Sequence, residues 1–225
     1  MQNGLADHSR GIYIIAMPQN TRLRYFLFFK PYGVLSQFTG DPGQHTLAEY
    51  GPFPSGVYAV GRLDADSEGL LLLTNDSTMH HVLTDPAFAH PRTYLAQVEH
   101  IPDELALESL RAGVVIEGRR TRPADVRLLA GEPSLPPRPV PIRVRKAIPT
   151  AWLEITLREG RNRQVRKMTA SVGYPTLRLI RTRIDAVKLT GLAPGEAREA
   201  TSLERAALLR TRNSSQRGGR GTRFV

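Results

Sequence analysis

The sequence predicts an α+β fold with a mixed, mostly antiparallel sheet and flanking helices. Short apolar segments bounded by turn residues recur along the chain, as is typical of strands. Segments with a helical apolar period begin at Asp or Asn and end at Gly or before Pro, as helices do. The two kinds of segment are interspersed without an internal repeat, which favours α+β.

The predicted strands are short and apolar. They cover residues 25–29, 57–60, 70–73, 93–98, 114–116, 125–129, 151–157 and 177–183. Residues 70–73 are four consecutive leucines between Gly69 and Asn75, which indicates a buried strand. Residues 177–183 alternate apolar and basic side chains, so Arg181 and Arg183 are expected to extend a cationic edge.

The predicted helices cover residues 76–83, 103–112, 162–172 and 202–209. Asn75 or Asp76 caps the first and Asp103 caps the second, because these side chains accept hydrogen bonds from free N–H groups at a helix start. Gly113 ends the second helix and Gly173 ends the third, as glycine commonly does after a last turn.

Both ends of the chain and one loop are predicted to be irregular. Residues 1–22 lack periodicity and are expected to form a flexible leader. Residues 132–141 contain five prolines, which predict a stiff surface loop. Residues 205–225 are expected to be a basic disordered tail, because the chain beyond residue 210 consists mostly of Arg, Gly, Ser, Asn and Gln and contains no acid. A weak RNA tether and a merely solvated end are equal alternatives for this tail.

Composition excludes several classes of protein. The 225 residues are 40% apolar, which is enough for a hydrophobic core. The chain has no cysteine, which excludes disulfides and thiolate metal sites. No apolar run approaches the about 20 residues that span a bilayer. We therefore expect a cytoplasmic protein that is not bound to a membrane.

The net charge of +10 is concentrated in the C-terminal part of the chain. Residues 1–137 contain 11 Lys and Arg against 15 Asp and Glu, whereas residues 138–225 contain 20 against 6. Most of those 20 are arginine, which suits bidentate contacts to phosphate. Because neutralising phosphates releases counterions, RNA or DNA is the expected partner, and an anionic membrane surface ranks below it.

A first motif places acids at the mouth of the leucine strand. Residues 61–69 read Gly-Arg-Leu-Asp-Ala-Asp-Ser-Glu-Gly and contain Asp64, Asp66 and Glu68. A carboxylate at the edge of a core needs a cationic partner or a changed pKa. Acids beside a strand are often loop or cap residues, but this position costs stability and so indicates chemistry.

A second motif places cations at a helix start. Residues 159–168 read Glu-Gly-Arg-Asn-Arg-Gln-Val-Arg-Lys-Met, with Arg163, Arg166 and Lys167 on adjacent turns. Cations at a helix N-terminus oppose the helix dipole. They are therefore expected to meet negative charge, either RNA phosphate or a buried Asp.

These motifs, with Lys-Pro-Tyr-Gly-Val-Leu at residues 30–35 and Arg-Thr-Tyr at residues 92–94, resemble the RsuA-type pseudouridine synthases. Usual members carry an N-terminal S4 RNA-binding domain, for which the residues before the first strand leave no room. That feature, together with Ile-Pro-Thr-Ala-Trp-Leu at residues 148–153 and Gly-Tyr-Pro-Thr-Leu-Arg-Leu-Ile-Arg at residues 173–181, looks most like the RluE type, which modifies 23S ribosomal RNA. The resemblance implies a pseudouridine synthase catalytic domain over residues 23–204, with two subdomains around a central cleft.

The resemblance also implies roles for individual residues. Asp64 corresponds to the catalytic aspartate, and Tyr94 corresponds to the tyrosine that stacks on the target uracil. Arg62 corresponds to a residue that helps open or replace the flipped nucleotide, and Arg166 to the basic residue that pairs with the catalytic aspartate. The residues expected to bind RNA are Lys30, Arg161, Arg163, Lys167 and Arg181.

The expected reaction converts a specific uridine of 23S rRNA to pseudouridine with no cofactor and no metal, since the isomerisation involves no redox change. His80 and His81 are adjacent and point apart on a helix, so they do not predict a metal site. Asp66 and Glu68 are expected to be structural. The expected partner is ribosomal RNA, with no protein partner, and the default state is a monomer.

Two alternatives stay open. An RNA N-glycosidase could use Asp64 and Asp66 as an acid–base pair, as paired carboxylates do in glycoside hydrolysis. A non-catalytic rRNA-binding protein fits the basic part of the chain equally well, but it has no need of Asp64 beside the leucine strand.

Overall fold

The computed structural model describes residues 22–142 and 148–219. Strands and helices are interspersed in this part of the chain, as the sequence predicts. The strands are β1 (Tyr25–Lys30), β2 (Tyr58–Ala59), β3 (Glu68–Thr74), β4 (Arg92–Glu99), β5 (Val115–Ile116), β6 (Arg119–Arg120), β7 (Asp125–Leu128), β8 (Thr150–Leu157), β9 (Thr176–Ile184), β10 (Val187–Lys188) and β11 (Ala197–Glu199). The α-helices are α1 (Ser77–Thr84), α2 (Glu104–Ala112), α3 (Gln164–Ser171) and α4 (Ser202–Gly219).

One mixed sheet contains nine of the described strands. Its order is β11-β1-β3-β9-β4-β8-β7, with β2 beside β3 and β10 beside β9. The β3–β9 pair is parallel and places Gly69 opposite Arg181, whereas the other pairs of this sheet are antiparallel. The remaining two described strands, β5 and β6, form a separate hairpin. The predicted α+β fold with a mixed, mostly antiparallel sheet is confirmed.

The leucine strand is buried on both faces. Leu70 and Leu72 pack into the cluster that includes residues of α1 and α4, whereas Leu71 and Leu73 pack with Phe28 on the other face. Because successive side chains of a strand point to opposite faces, a run with no polar residue requires cover on both sides. The strand that follows the acidic motif is therefore a rigid central element.

Two predicted helix caps are confirmed. Asp76 accepts a hydrogen bond from the Met79 amide at 3.0 Å, and Asp103 accepts one from the Ala106 amide at 2.8 Å. Each carboxylate satisfies an N–H group that has no partner within its helix.

The predicted helix at residues 202–209 is confirmed and continues as α4 to Gly219, so the prediction of a disordered tail from residue 205 is wrong for residues 205–219. Leu208 of α4 is fully buried against the sheet. Arg212 donates to Asp76 at 2.9 Å, and Thr211 donates to Asp185 at 2.6 Å. Composition alone could not reveal these distant partners, which tie a polar helix to the core.

The other predicted irregular segments have different outcomes. Residues 132–141 contain no helix or strand, so the predicted loop is confirmed. The leader predicted at residues 1–22 lies, except for Arg22, outside the described residues, and so do residues 220–225. Among the helices in the described ranges, none is long and apolar enough to cross a membrane.

Candidate active site

A cavity of about 670 Å³ opens where the loop before β3 faces β4, β9 and the segment before α3. Its lining includes Arg62, Asp64, Tyr94, Arg161, Arg163 and Arg181. The fold thus brings the acidic motif and the basic motif, predicted from distant parts of the sequence, to one pocket.

The backbone around Asp64 is held by its neighbours. Ser36 Oγ donates to the Leu63 carbonyl at 2.8 Å and accepts from the Leu63 amide at 2.9 Å. The Asp64 carbonyl accepts from the Ser67 amide at 3.0 Å and closes a turn. Asp64 therefore projects from a segment whose position is set by the protein itself, as a preorganised site requires.

Lys30 supports this segment from inside the protein. The side chain is fully buried, and Nζ donates to the carbonyls of Pro31 at 2.9 Å, Val34 at 2.6 Å and Ala65 at 3.4 Å. Burial lowers the pKa of Lys30 to about 8, although nearby carboxylates partly oppose this effect. The prediction that Lys30 binds RNA is wrong, because its ammonium group is enclosed by backbone carbonyls.

Arg181 also lies inside the protein, at only 2% exposure. Its Nε donates to the Leu70 carbonyl at 2.8 Å, and one terminal nitrogen donates to the Arg62 carbonyl at 3.4 Å. Burial lowers the pKa of Arg181, and the neighbouring Tyr94 hydroxyl partly opposes this effect. The predicted cationic surface edge is therefore wrong at Arg181, which is buried, lines the inner wall of the pocket and joins the motif segment to β9.

Asp66 connects the two motifs. Arg163 donates to both of its carboxylate oxygens, at 3.0 and 2.7 Å, and Arg166 donates to its carbonyl at 2.8 Å. Burial raises the pKa of Asp66, but the hydrogen bond from Arg163 and the charge of Arg166 outweigh burial and hold it below its ordinary value. This bidentate contact supports a structural role for Asp66.

Asp64 lies in contact with Arg163 rather than Arg166. The Arg163 guanidinium approaches Asp64 Oδ2 to 3.6 Å. Arg166 instead donates to the carbonyls of Asp66 and Thr176, and its Nε is 3.5 Å from Asp66 Oδ2. The described structure thus shows no direct contact between Arg166 and Asp64, although the charge of Asp64 opposes the lowering of the Arg166 pKa by burial.

Tyr94 is half-buried on β4 and lines the pocket. Ala96 and Val98, on the same face of the strand, belong to the core cluster against which Tyr94 packs. The predicted alternation is confirmed, and it leaves the ring of Tyr94 between the core and the cavity. A flat aromatic surface in this position is suited to stacking with a base.

The remaining predicted cations differ in how far their charge is neutralised. Lys167 donates to Glu117 at 2.6 Å, whereas Arg62 is exposed and donates to the neutral Gln37 side chain at 3.1 Å. Arg161 donates to two backbone carbonyls of the β5–β6 hairpin. Within the described chain, Arg62 and Arg161 thus make no carboxylate contact and keep charge available at the pocket.

Sequence reasoning missed a buried ion pair beside the motif. Arg178 of β9 donates to both oxygens of Glu68, at 2.9 and 2.8 Å, and both side chains are nearly inaccessible. A glutamate at the start of a fully buried strand signals the need for a cation, but spacing does not identify which one. No feature of the sequence indicated that Ser36 would hold the Leu63 backbone next to Asp64. Among residues 22–142 and 148–219, no cluster of His, Cys, Asp or Glu is suited to a metal ion.

Comparison with known proteins gives concordant matches. The family model described as RNA pseudouridylate synthase matches residues 24–171. "Ribosomal large subunit pseudouridine synthase E" of Xanthomonas campestris pv. campestris is 57% identical over 174 residues, which cover 76% of this chain and 92% of the relative. The protein of the same name from Vibrio vulnificus is 51% identical over 176 residues, which cover 78% of this chain and 74% of the relative. A solved structure described as "Crystal structure of pseudouridylate synthase" matches with a TM-score of 0.68 and 27% identity, over 83% of this chain and 74% of the other.

Proposed function

The chain belongs to the RNA pseudouridylate synthase family, and we propose that it converts a uridine of 23S rRNA, in the large ribosomal subunit, to pseudouridine. The names of its relatives support the large-subunit substrate. The observation that carries the catalytic assignment is the position of Asp64, on a braced segment at the wall of a cavity that also contains Tyr94. The cavity volume of about 670 Å³ falls within the ordinary range for ligand sites.

The reaction breaks the bond between uracil N1 and ribose C1′, turns the base, and joins C5 to C1′, after which the C5 proton leaves and N1 takes up a proton. The product has the mass of the substrate, and no electrons are gained or lost. An ionised Asp64 can act as a nucleophile at the ribose or as a base toward it. The Arg163 guanidinium lies 3.6 Å from Asp64 Oδ2, so a cation stands beside this carboxylate at the wall of the cavity.

Tyr94 and the surrounding cations support the proposed handling of the nucleotide. The target base must leave the RNA stack before its glycosidic bond becomes accessible. Tyr94 would then stack on the extruded uracil, and the exposed Arg62 would contact RNA at the mouth of the cavity. Arg161 and Arg163 would add positive charge beside the phosphates that flank the target.

The location of the cavity supports the proposed domain organisation. Ser36 and residues 61–65 contribute to one wall, whereas residues of β4, β9 and the segment before α3 contribute to the opposite wall. This arrangement supports a catalytic domain with two subdomains around a central cleft, which begins near residue 23 and extends beyond residue 204, because Leu208 of α4 is buried in its core. We propose that the protein acts on ribosomal RNA in the cytoplasm as a monomer.

The direct test uses 23S rRNA transcribed in vitro, which contains no modified nucleotides. After incubation with the protein, carbodiimide mapping should show one new pseudouridine, absent from RNA incubated without protein. Release of free uracil would instead indicate an N-glycosidase. RNA binding without either product would indicate a non-catalytic binding protein.

A further inference from the structure

The β5–β6 hairpin carries an exposed group of arginines that the sequence motifs do not include. Glu117 and Gly118, at its tip, both have positive φ, of 50° and 74°, as a tight two-residue hairpin turn requires. Arg119 and Arg120 follow the tip, and Arg122 lies two residues further on; all three are exposed. This short turn makes the hairpin a defined platform for these side chains.

Hydrogen bonds connect the hairpin to the wall of the cavity. Arg161, which lines the cavity, donates to the Ile116 carbonyl at 2.7 Å and to the Arg119 carbonyl at 3.1 Å. The Arg122 amide donates to Glu159 at 2.9 Å, and its guanidinium donates to the Arg158 carbonyl at 3.3 Å. The hairpin is therefore a continuation of the wall formed by residues 158–163.

The acids around this surface compensate only part of its charge: Glu159 accepts hydrogen bonds from the Arg122 amide and the Gln164 side chain, and the charge of Arg161 acts on Glu117. The carboxylates of Glu117 and Asp125 are engaged by Lys167 and Arg158, respectively. In the described part of the chain, Arg120, Arg122 and Arg161 donate to carbonyls and form no ion pair.

Some exposed arginines elsewhere on the molecule are paired with acids, since Arg24 contacts Glu199 and Arg127 contacts Glu154. The guanidinium groups of Arg120, Arg122 and Arg161 have no such acid partner in the described part of the chain, so their positive charge remains available to an anion.

We propose that Arg119, Arg120, Arg122 and Arg161, named here the arginine surface, bind the phosphates of the RNA strand next to the flipped uridine. The inference rests on the proposed function, because that function requires RNA to reach the adjoining cavity. Guanidinium groups suit this partner, since each can form paired hydrogen bonds to phosphate oxygens. Anchoring the neighbouring nucleotides would hold the strand in place while the target base is out of the stack.

The test compares two triple variants with the same change in formal charge. One is R119Q/R120Q/R122Q on the arginine surface. The control is R24Q/R111Q/R127Q, whose arginines each contact an acid away from the cavity. Single-turnover pseudouridine formation in 23S rRNA transcript and filter binding of the same RNA are both measured at several salt concentrations. Thermal unfolding checks that both variants are folded.

The arginine-surface variant should raise the half-saturating protein concentration at least about tenfold and reduce the slope of log affinity against log salt by about two to three. The control should stay close to the wild type in both quantities. Equal affinities and slopes for the two variants would overturn the proposal. If the wild type forms no pseudouridine, the proposed function fails; a salt slope reduced only in the arginine-surface variant would still support the RNA contact.

Discussion

Replacing Glu68 with glutamine should strongly destabilise the protein, because it leaves Arg178 charged and buried without its carboxylate. The side chains are 2% and 8% exposed, and two hydrogen bonds of 2.9 and 2.8 Å join them. Removing one member of a buried ion pair costs about 3–5 kcal/mol. For a chain of this size, that loss lowers the melting temperature by roughly 6–20 °C.

The assay is urea unfolding followed by the fluorescence of Trp152, the single tryptophan, which is buried in the core. A matched control is Glu154→Gln, which removes the acid from the exposed pair with Arg127. Surface ion pairs contribute about 0–1 kcal/mol, so this variant should unfold nearly as the wild type does. A loss below about 1 kcal/mol for Glu68→Gln would refute the reasoning from burial, as would equal losses for the two variants.

Four further predictions concern the fold and the pocket. Gly69→Ala should abolish stable folding, measured as loss of the cooperative urea transition, because an added Cβ would lie 2.3 Å from a backbone oxygen of β9 at a φ of +109°. Leu208→Ala should cost about 2–5 kcal/mol in the same assay, since this side chain is fully buried; an unchanged midpoint would mean that α4 is not docked. Burial raises the pKa of Asp76, but hydrogen bonds from Tyr25 and from groups of α1 and α4 outweigh burial and hold the pKa below its ordinary value. The contribution of Asp76 to the free energy of unfolding is therefore complete above the ordinary carboxyl pKa of about 4 and is lost as the pH falls through the folded-state pKa. Asp76→Asn should flatten this acid-dependent loss of stability, and an unchanged dependence of stability on pH would contradict the assignment. Tyr94→Phe, which keeps the ring, should retain far more single-turnover activity on rRNA than Tyr94→Ala, and equal losses would exclude stacking as the main role.

Local features of the chain were predictable because their partners are local. The leucine run required a strand buried on both faces, and Asp76 and Asp103 cap the helices that immediately follow them. The two charged motifs also indicated one site, since isolated charges at the edge of a core need partners. In the fold the two motifs do meet, although Asp64 lies beside Arg163 rather than the predicted Arg166.

The partners of the buried cations were not predictable, because they are distant in sequence or belong to the backbone. Lys30 and Arg181 were expected at the RNA-binding surface, but both are buried and donate to backbone carbonyls. Residue type reveals a charge, whereas only the fold reveals whether carbonyls, carboxylates or solvent surround it. The length of α4 was unpredictable for the same reason. Its Arg212 donates to Asp76, the cap of α1, and its Thr211 donates to Asp185 in the β9–β10 turn.

The most direct test of the proposed catalysis is tritium release from rRNA labelled at uracil C5, measured for the wild type and Asp64→Asn. Bond formation at C5 expels the hydrogen of that carbon into water, so release reports isomerisation itself. The wild type should release tritium in proportion to the pseudouridine formed. Asp64→Asn should fall to background while its RNA affinity, measured by filter binding, is retained. Tritium release by Asp64→Asn at the wild-type rate would contradict the assignment of Asp64 as the catalytic residue.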